Sequence, residues 1–302
     1  MNRFTIYAIS LGGTVVPGNT EITLEEDDDV ARPMTDGDFQ NRLAAVLQRR
    51  RQIPFTSLNV EGVLDALGSV FGAAISDLTG GVIFYLRKRG AVGGAASGHY
   101  TATVTGGLVV VETVNGQDGS QFADITCRAY AASGDGTNAV TVESGSLGTI
   151  PSISSGWKLG PAKLNASTYE EGVQSWTLNM NPDVDVEEGF GDGSTYPKLV
   201  ELRGSSPTAA VTVSDAANLS TFDEPAAISA ATELWLREVA KNNVPTAESA
   251  SAHVQFTINE GMIRHTSSGG SQTAETELEI VPTYDGATDS VQYTTDQAIS
   301  VV

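Results

Sequence analysis

Alternation of apolar and polar residues between Trp157 and Asp215 restricts this part of the chain to antiparallel sheet. Three segments alternate in this way, Val173–Met180, Lys198–Arg203 and Ala209–Val213, and acidic, glycine-rich loops join them. In the first segment the side chains that would share one face are Trp176, Leu178 and Met180. The stretch holds no histidine or cysteine, and its carboxylates are spread along loops without a partner base. It therefore predicts a scaffold and not a reaction centre.

The net charge of −20 lies mainly in the C-terminal part of the 302-residue chain. Residues 181–302 hold 19 acidic against 5 basic residues, a net charge of −14. Because DNA affinity rests on lysine and arginine neutralising phosphates, a phosphate-gripping role is disfavoured. The acidity either keeps the protein soluble or forms a surface that DNA passes without adhering.

Residues that often serve catalysis and metal binding are few and scattered. Cys127 is the only cysteine, which excludes an intrachain disulfide and a cysteine-based metal site, and the three histidines lack zinc-site spacing. No G-x-S-x-G elbow or phosphate-binding loop occurs. We therefore expect no enzyme activity, no cofactor and no metal. The chain shows no signal-peptide segment or membrane span, which predicts synthesis in a cytoplasm without export.

Two oppositely charged runs mark the N-terminal part. The polar stretch Thr14–Met34 is predicted to be an extended arm or loop. Its acidic run comprises Glu25, Glu26, Asp27, Asp28 and Asp29. Thr35 or Asp36 can cap a helix that continues to Leu47. A basic run, Arg49, Arg50 and Arg51, would then follow at the C-terminal end of that helix. Phosphate binding, the helix dipole or a neighbouring subunit's carboxylates could each explain the arginines, and we favour the subunit contact.

Two helices and three hairpins complete the predicted elements. Val60–Phe71 forms a short helix, and Pro225–Lys241 forms the clearest helix of the chain. The apolar residues at helical spacing in the latter are Ile228, Ala231, Leu234, Trp235 and Val239. Hairpin turns are predicted at Gly106-Gly107, at residues 133–138 and at Asn259-Glu260-Gly261. Glu275–Val281 alternates strictly, so one face of that strand would carry three glutamates.

Several turn and strand segments follow one another in a distinctive order across roughly residues 150–302. These segments are Trp157–Leu164 leading to Gly172–Asn179, Tyr196-Pro197 before a strand, Ser206-Pro207-Thr208 before Val211–Asp215, the helix Pro225–Lys241, a strand beginning at His253-Val254, and the closing Pro282–Gly286 with Ala298-Ile299. This order resembles the major tail tube protein of long-tailed, siphophage-like bacteriophages.

The resemblance implies a mainly β fold, in which β-sandwich or barrel-forming antiparallel sheets are flanked by one strong α-helix with extended arms and loops. Residues 151–302 would form the tail-tube-like sandwich with the helix 225–241. Residues 1–150 would form a β-rich part with an arm and short helices, which completes the sandwich or decorates the exterior.

The resemblance also implies a function as a structural subunit of the virion tail, made in the host bacterial cytoplasm. Hexameric rings would join their sheets into a continuous inner barrel and stack into a hollow tube with an electronegative lumen, through which DNA is ejected. The partners would be further copies of the chain, the tape-measure, tail terminator and distal tail proteins, and transiently passing DNA, without a membrane. The arms Thr14–Met34 and Pro182–Tyr196 would serve polymerisation.

Two sets of residues are candidates for sites in such a tube. The candidate lumen acids are Asp183, Asp185, Glu201, Glu275, Glu277 and Glu279. The candidate inter-subunit contacts are Glu25, Glu26, Asp27, Asp28, Asp29, Arg49, Arg50 and Arg51. Two alternatives stay open: another virion β-protein, such as a neck, tail terminator or capsid decoration subunit, and a carbohydrate-binding sandwich or a glycosidase with a carboxylate pair. An aromatic content of 7% is low for a sugar-binding platform.

Overall fold

The computed structural model describes residues 4–31, 45–68, 71–88, 99–117, 121–135, 137–145, 152–166, 168–188, 195–214, 224–269, 275–284 and 286–300. These residues form antiparallel sheets and one α-helix, which confirms the predicted mainly β fold. The helix, α1 (Val60–Leu67), begins at Asn59, whose side chain accepts a hydrogen bond from the Gly62 backbone N–H. It confirms the short helix predicted in this region.

The strands are, in chain order, β1 (Phe4–Leu11), β2 (Thr14–Val16), β3 (Asn19–Ile22), β4 (Glu25–Ala31), β5 (Ala45–Ser57), β6 (Gly72–Ala74), β7 (Val82–Lys88), β8 (Tyr100–Val104), β9 (Gly107–Gln117), β10 (Asp124–Ala131), β11 (Val140–Ser144), β12 (Ser155–Lys163), β13 (Val173–Asn179), β14 (Pro182–Glu188), β15 (Pro197–Ser205), β16 (Thr208–Val213), β17 (Ala226–Ala227), β18 (Thr232–Ala240), β19 (His253–Ile258), β20 (Gly261–Gly269), β21 (Glu275–Pro282) and β22 (Gln292–Gln297). A short 3-10 turn, Ile75–Asp77, follows β6.

Eleven strands form one broad sheet in the order β17-β20-β21-β16-β13-β9-β10-β5-β3, with β4 also beside β5 and β6 also beside β9. Strands from residues 1–150 and from residues 151–302 meet in this sheet where β9 pairs with β13. The N-terminal part therefore contributes strands and core residues to the same sandwich as the C-terminal part. Within the described residues the broad sheet stays open at both edges.

Two smaller sheets cover the inner face of the broad sheet. One has the order β11-β8-β7-β1-β2 and the other β12-β18-β19-β22. Phe55 of the broad sheet meets Phe84 of the five-stranded sheet at a ring distance of 6.2 Å, and Trp176 meets Phe256 of the four-stranded sheet at 5.6 Å. These rings are buried in one continuous apolar core, as expected for a sandwich of packed sheets.

Two predicted helices are wrong where the structure describes them. Residues of the predicted helix 225–241 form the strands β17 and β18, and β18 lies between β12 and β19. Trp235 is buried on one face of this strand, and Leu234 and Leu236 are buried on the other. A strand that is buried on both faces has apolar residues at consecutive positions. Such a run also contains apolar residues three and four positions apart, as an amphipathic helix does. The predicted helix ending at Leu47 is likewise replaced by β5 from residue 45 onward, and its earlier residues lie outside the described ranges.

The three predicted hairpins are also wrong, because each turn carries the chain from one sheet to another. β8 and β11 belong to the five-stranded sheet, whereas their sequence neighbours β9 and β10 belong to the broad sheet. β19 and β20 are divided between the four-stranded and the broad sheet in the same way. At Gly107, which has φ 113°, a Cβ atom would lie 1.9 Å from the Tyr130 carbonyl oxygen, so only glycine fits this crossing.

Candidate functional site

The outer face of the broad sheet is a polar surface that several strands build together. On β13, Trp176 and Leu178 point into the core, while Ser175, Thr177 and Asn179 lie on the opposite side and are half-buried. The alternation predicted for this segment is therefore confirmed. β16 and β21 continue the pattern, since Val211 and Leu278 are buried side by side in register. We call this polar side the open face.

Hydrogen bonds between side chains join neighbouring strands across the open face. Thr177 Oγ1 donates to Asn115 Oδ1 at 3.0 Å, and Asn115 Nδ2 donates to Asp124 Oδ1 at 2.8 Å. The Thr56 and Thr126 hydroxyls lie 3.1 Å apart. These hydrogen bonds hold hydroxyl, amide and carboxylate groups side by side on the open face.

The three glutamates of β21 lie on the open face, as their alternation predicts. Thr276, Leu278 and Ile280 between and beside them are fully buried. Two of the glutamates bind neighbours on β20, since Arg264 pairs with Glu279 and Ser267 Oγ donates to Glu277 Oε2 at 2.9 Å. Glu275 and Glu277 are exposed. The face is thus acidic at this edge of the sheet.

Arg128 is the basic residue near the centre of the open face, and carboxylates surround it. Its Nε donates to Glu112 Oε1 at 2.6 Å, and its Nη1 donates to Glu25 Oε2 at 3.0 Å and to Gln52 Oε1 at 3.1 Å. The hydrogen bond to Glu112 raises the pKa of Arg128. This cluster was not predicted, because its members come from four strands that only tertiary pairing brings together.

Strands β14 and β15 form a two-stranded ribbon that continues the antiparallel pair of β13 and β16. The ribbon covers one end of the open face. Val184, Val186 and Val200 contact a small cluster formed by Leu108 and Val110. Alternation then places the carboxylates of Asp183, Asp185, Glu187 and Glu201 on the side away from the sheet. They include the candidate lumen acids Asp183, Asp185 and Glu201, of which Asp185 and Glu201 face each other in register. Arg203 pairs with Asp185 and offsets part of their repulsion.

The acidic and basic runs of the N-terminal part pair with each other inside one chain. β4 runs antiparallel to β5, with Glu26 opposite Arg51 and Asp28 opposite Arg49. Arg51 Nη1 lies 2.8 Å from Asp28 Oδ1, and Arg51 Nε lies 3.3 Å from Glu26 Oε1. A strand replaces the arm expected for the acidic run, and the basic run lies on a strand instead of at a helix end. Their contact with a neighbouring subunit stays a prediction.

The β4–β5 hairpin and the ribbon also meet. The Arg49 backbone N–H donates to the Thr195 carbonyl at 2.7 Å, and Arg49 Nη1 donates to the Tyr196 hydroxyl at 3.0 Å. The Tyr196 hydroxyl raises the pKa of Arg49. Described parts of the two segments expected to serve polymerisation, β4 and residues 195–196, therefore lie at the same end of the broad sheet.

A second carboxylate group lies away from the open face. Burial raises the pKa of Glu61 on α1 to about 7, with Asp296 on β22, Asp65 on α1 and Glu238 on β18 adding to the effect. In the part of the chain that the structure describes, no group of three or more His, Cys, Asp or Glu side chains is placed to hold a metal ion. No described helix is long and apolar enough to cross a membrane.

Comparison of the sequence with models of known protein families finds no match, and comparison with curated proteins finds none either. The features of this chain that bear on its function are the open face, the ribbon and the edges of the broad sheet. Among the described residues, no strand pairs with Arg264–Gly269 of β20 on the side away from β21, and β3 with β4 forms the opposite edge.

Proposed function

We propose that this protein is a structural subunit of a phage tail tube and has no enzyme activity. In this proposal six copies join the edges of their broad sheets, β20 of one copy beside β3 and β4 of the next, into a closed ring. Ring closure would pair the open edges, which otherwise invite indiscriminate aggregation. Stacked rings would then form a hollow tube in the virion tail, assembled with the tape-measure, tail terminator and distal tail proteins.

The observation that carries the proposal is the chemistry of the open face. Within the described residues this face carries threonines, asparagines and carboxylates, and its arginines Arg128 and Arg264 are each bound to glutamates, which weakens their attraction for phosphates. An acidic lining of this kind would keep DNA mobile during ejection. Glu275, Glu277 and Glu279 would line the lumen directly, and Asp183, Asp185 and Glu201 would lie where successive rings meet, at the border of the lumen.

Electron microscopy of the purified protein tests the proposal. We expect six-fold rings and stacked tubes at high protein concentration or after addition of tail-initiating partners. Rings that never stack would favour a neck, terminator or decoration subunit. A strictly monomeric species under all these conditions would contradict the proposal. The carbohydrate-binding alternative needs stacking aromatic rings, and none of the described positions of the uncovered open face is aromatic.

A further inference from the structure

An apolar socket lies at one end of the broad sheet. We call this end, where β13 begins at Val173, the near end, and the end at Asn179 the far end. The socket has a volume of about 230 Å³. Its lining consists chiefly of Leu58, Phe122, Ile153, Gly156, Ala240 and Lys241. Phe122 and Leu58 place it at the near end, since they flank strand positions Asp124 and Ser57 there.

The floor of the socket is an exposed aromatic ring that the backbone supports. Phe122 is 39% exposed, which is unusual for a phenylalanine in a chain with a large core. A Cβ atom at Gly156 would lie 2.8 Å from the Phe122 ring, so the ring rests directly on this glycine. The ring is thus held in place while one side remains accessible.

Positive charges border the socket. The Lys158 ammonium lies 5.5 Å from the centre of the Phe122 ring, and Lys241 is exposed in the lining. The chain has 17 basic residues against 37 acidic ones. Two lysines beside the apolar socket therefore favour a partner surface that has an apolar side chain at its centre and carboxylates around it.

The outer face of the ribbon, at the far end of the broad sheet, has an apolar side chain with carboxylates around it. Leu199 on β15 is 42% exposed. Glu187 lies directly across from it on β14, and Glu201 lies two residues along the same face. A leucine bordered by carboxylates thus complements a phenylalanine bordered by lysines. The two surfaces lie at opposite ends of the broad sheet, so they meet only between two copies.

We propose that the outer face of the ribbon of one copy docks into the near-end socket of another copy. This inference rests on the proposed function and assigns it the contact that stacks successive rings. Because the contact joins two different surfaces at opposite ends of the broad sheet, its repetition along one axis produces an open-ended assembly. Leucine supplies apolar burial, and the pairs of Glu187 and Glu201 with Lys158 and Lys241 set the orientation.

Cross-linking of paired cysteines tests the contact. Cys127 is the sole cysteine and is buried, so introduced thiols are the reactive ones. We expect the variant Leu199→Cys/Ala240→Cys, treated with a short bismaleimide after tube assembly, to give a ladder of covalent oligomers. The control Leu199→Cys/Val142→Cys, which uses an exposed residue of β11, is expected to remain monomeric under denaturing electrophoresis. Equal ladders in both variants, or none in the first, would overturn the contact.

Charge exchange provides an independent test. Lys241→Glu is expected to raise the critical concentration for tube growth at least about tenfold, since it sets like charges against each other. The double variant Glu187→Lys/Lys241→Glu is expected to restore growth to within about threefold of the unmodified protein. Tubes that form normally in Lys241→Glu would overturn the contact alone. Unmodified protein that forms no tubes would contradict the proposed function and this contact together.

Discussion

Arg128 on β10 donates from Nε to Glu112 on β9 at 2.6 Å, at the point where β9 contains a β-bulge. The bulge gives Glu112 no partner in the register and leaves both Glu112 and Thr113 half-buried beside the open face. The same guanidinium reaches Glu25 and Gln52 on two further strands. One arginine therefore ties four strands together and is at the same time kept from solvent anions.

Replacement of Glu112 by glutamine is expected to weaken the fold. The variant keeps the size of the side chain but converts a charge-assisted hydrogen bond into a neutral one, at a cost of about 1 kcal/mol. Urea denaturation measures the change. Glu143→Gln on β11 is the control, because Glu143 is exposed, and its effect is expected to stay within about 0.5 kcal/mol. Equal losses in the two variants would show that the cluster adds nothing to stability.

Gly116→Ala tests how tightly Trp176 packs against β9. A Cβ atom at Gly116 would lie 2.6 Å from the Trp176 ring, which is buried and also contacts Phe256. We expect a loss of about 1–3 kcal/mol from overpacking, although alanine suits a strand better than glycine does. Gly134→Ala is the matched control, since its Cβ atom would meet nothing within 4 Å. A thermal midpoint unchanged in Gly116→Ala would contradict the packing.

Strands were predicted correctly from the sequence where one face of the strand is buried in the core and the other faces solvent. Trp176 and Leu178 alternate with Ser175 and Thr177 because β13 has the core on one side and the open face on the other. The same approach predicted a helix in place of β18, because the residues of this strand are buried on both faces and do not alternate. Alternation also carries no information about partners. The turn at Gly106-Gly107 suits a hairpin locally, yet tertiary packing sends β8 and β9 to different sheets.

The open face was partly predictable for a related reason. The glutamates of β21 could be identified because strict alternation fixes their side of the strand. The cluster around Arg128 could not be identified, because its members are brought together only by long-range pairing of β4, β5, β9 and β10. The pairing of the acidic run with the arginines was hidden for another reason, since helical spacing before Arg49 suggested a helix.

The carboxyl group of Glu61 predicts a pH-dependent stability. Its pKa is raised from 4.5 to about 7 in the folded protein, so folding favours the protonated form. The stabilising contribution is fully present below about pH 4.5 and is lost as the pH rises through about 7. We expect Glu61→Gln to remove this loss. Urea midpoints of both proteins between pH 5 and pH 8 measure it, and parallel curves would contradict the assignment.

Reversal of the lumen charge tests the proposed passage of DNA. Glu275→Lys/Glu277→Lys leaves Glu279 paired with Arg264, so we expect tubes to assemble normally. DNA release from virions carrying this variant is expected to be slower, and added salt is expected to restore it, because lysines bind phosphates through counterion release. The control Asp77→Lys/Glu143→Lys changes the net charge equally at exposed positions outside the broad sheet. Release at the same rate in the lumen variant and the control would refute the electrostatic role of the open face.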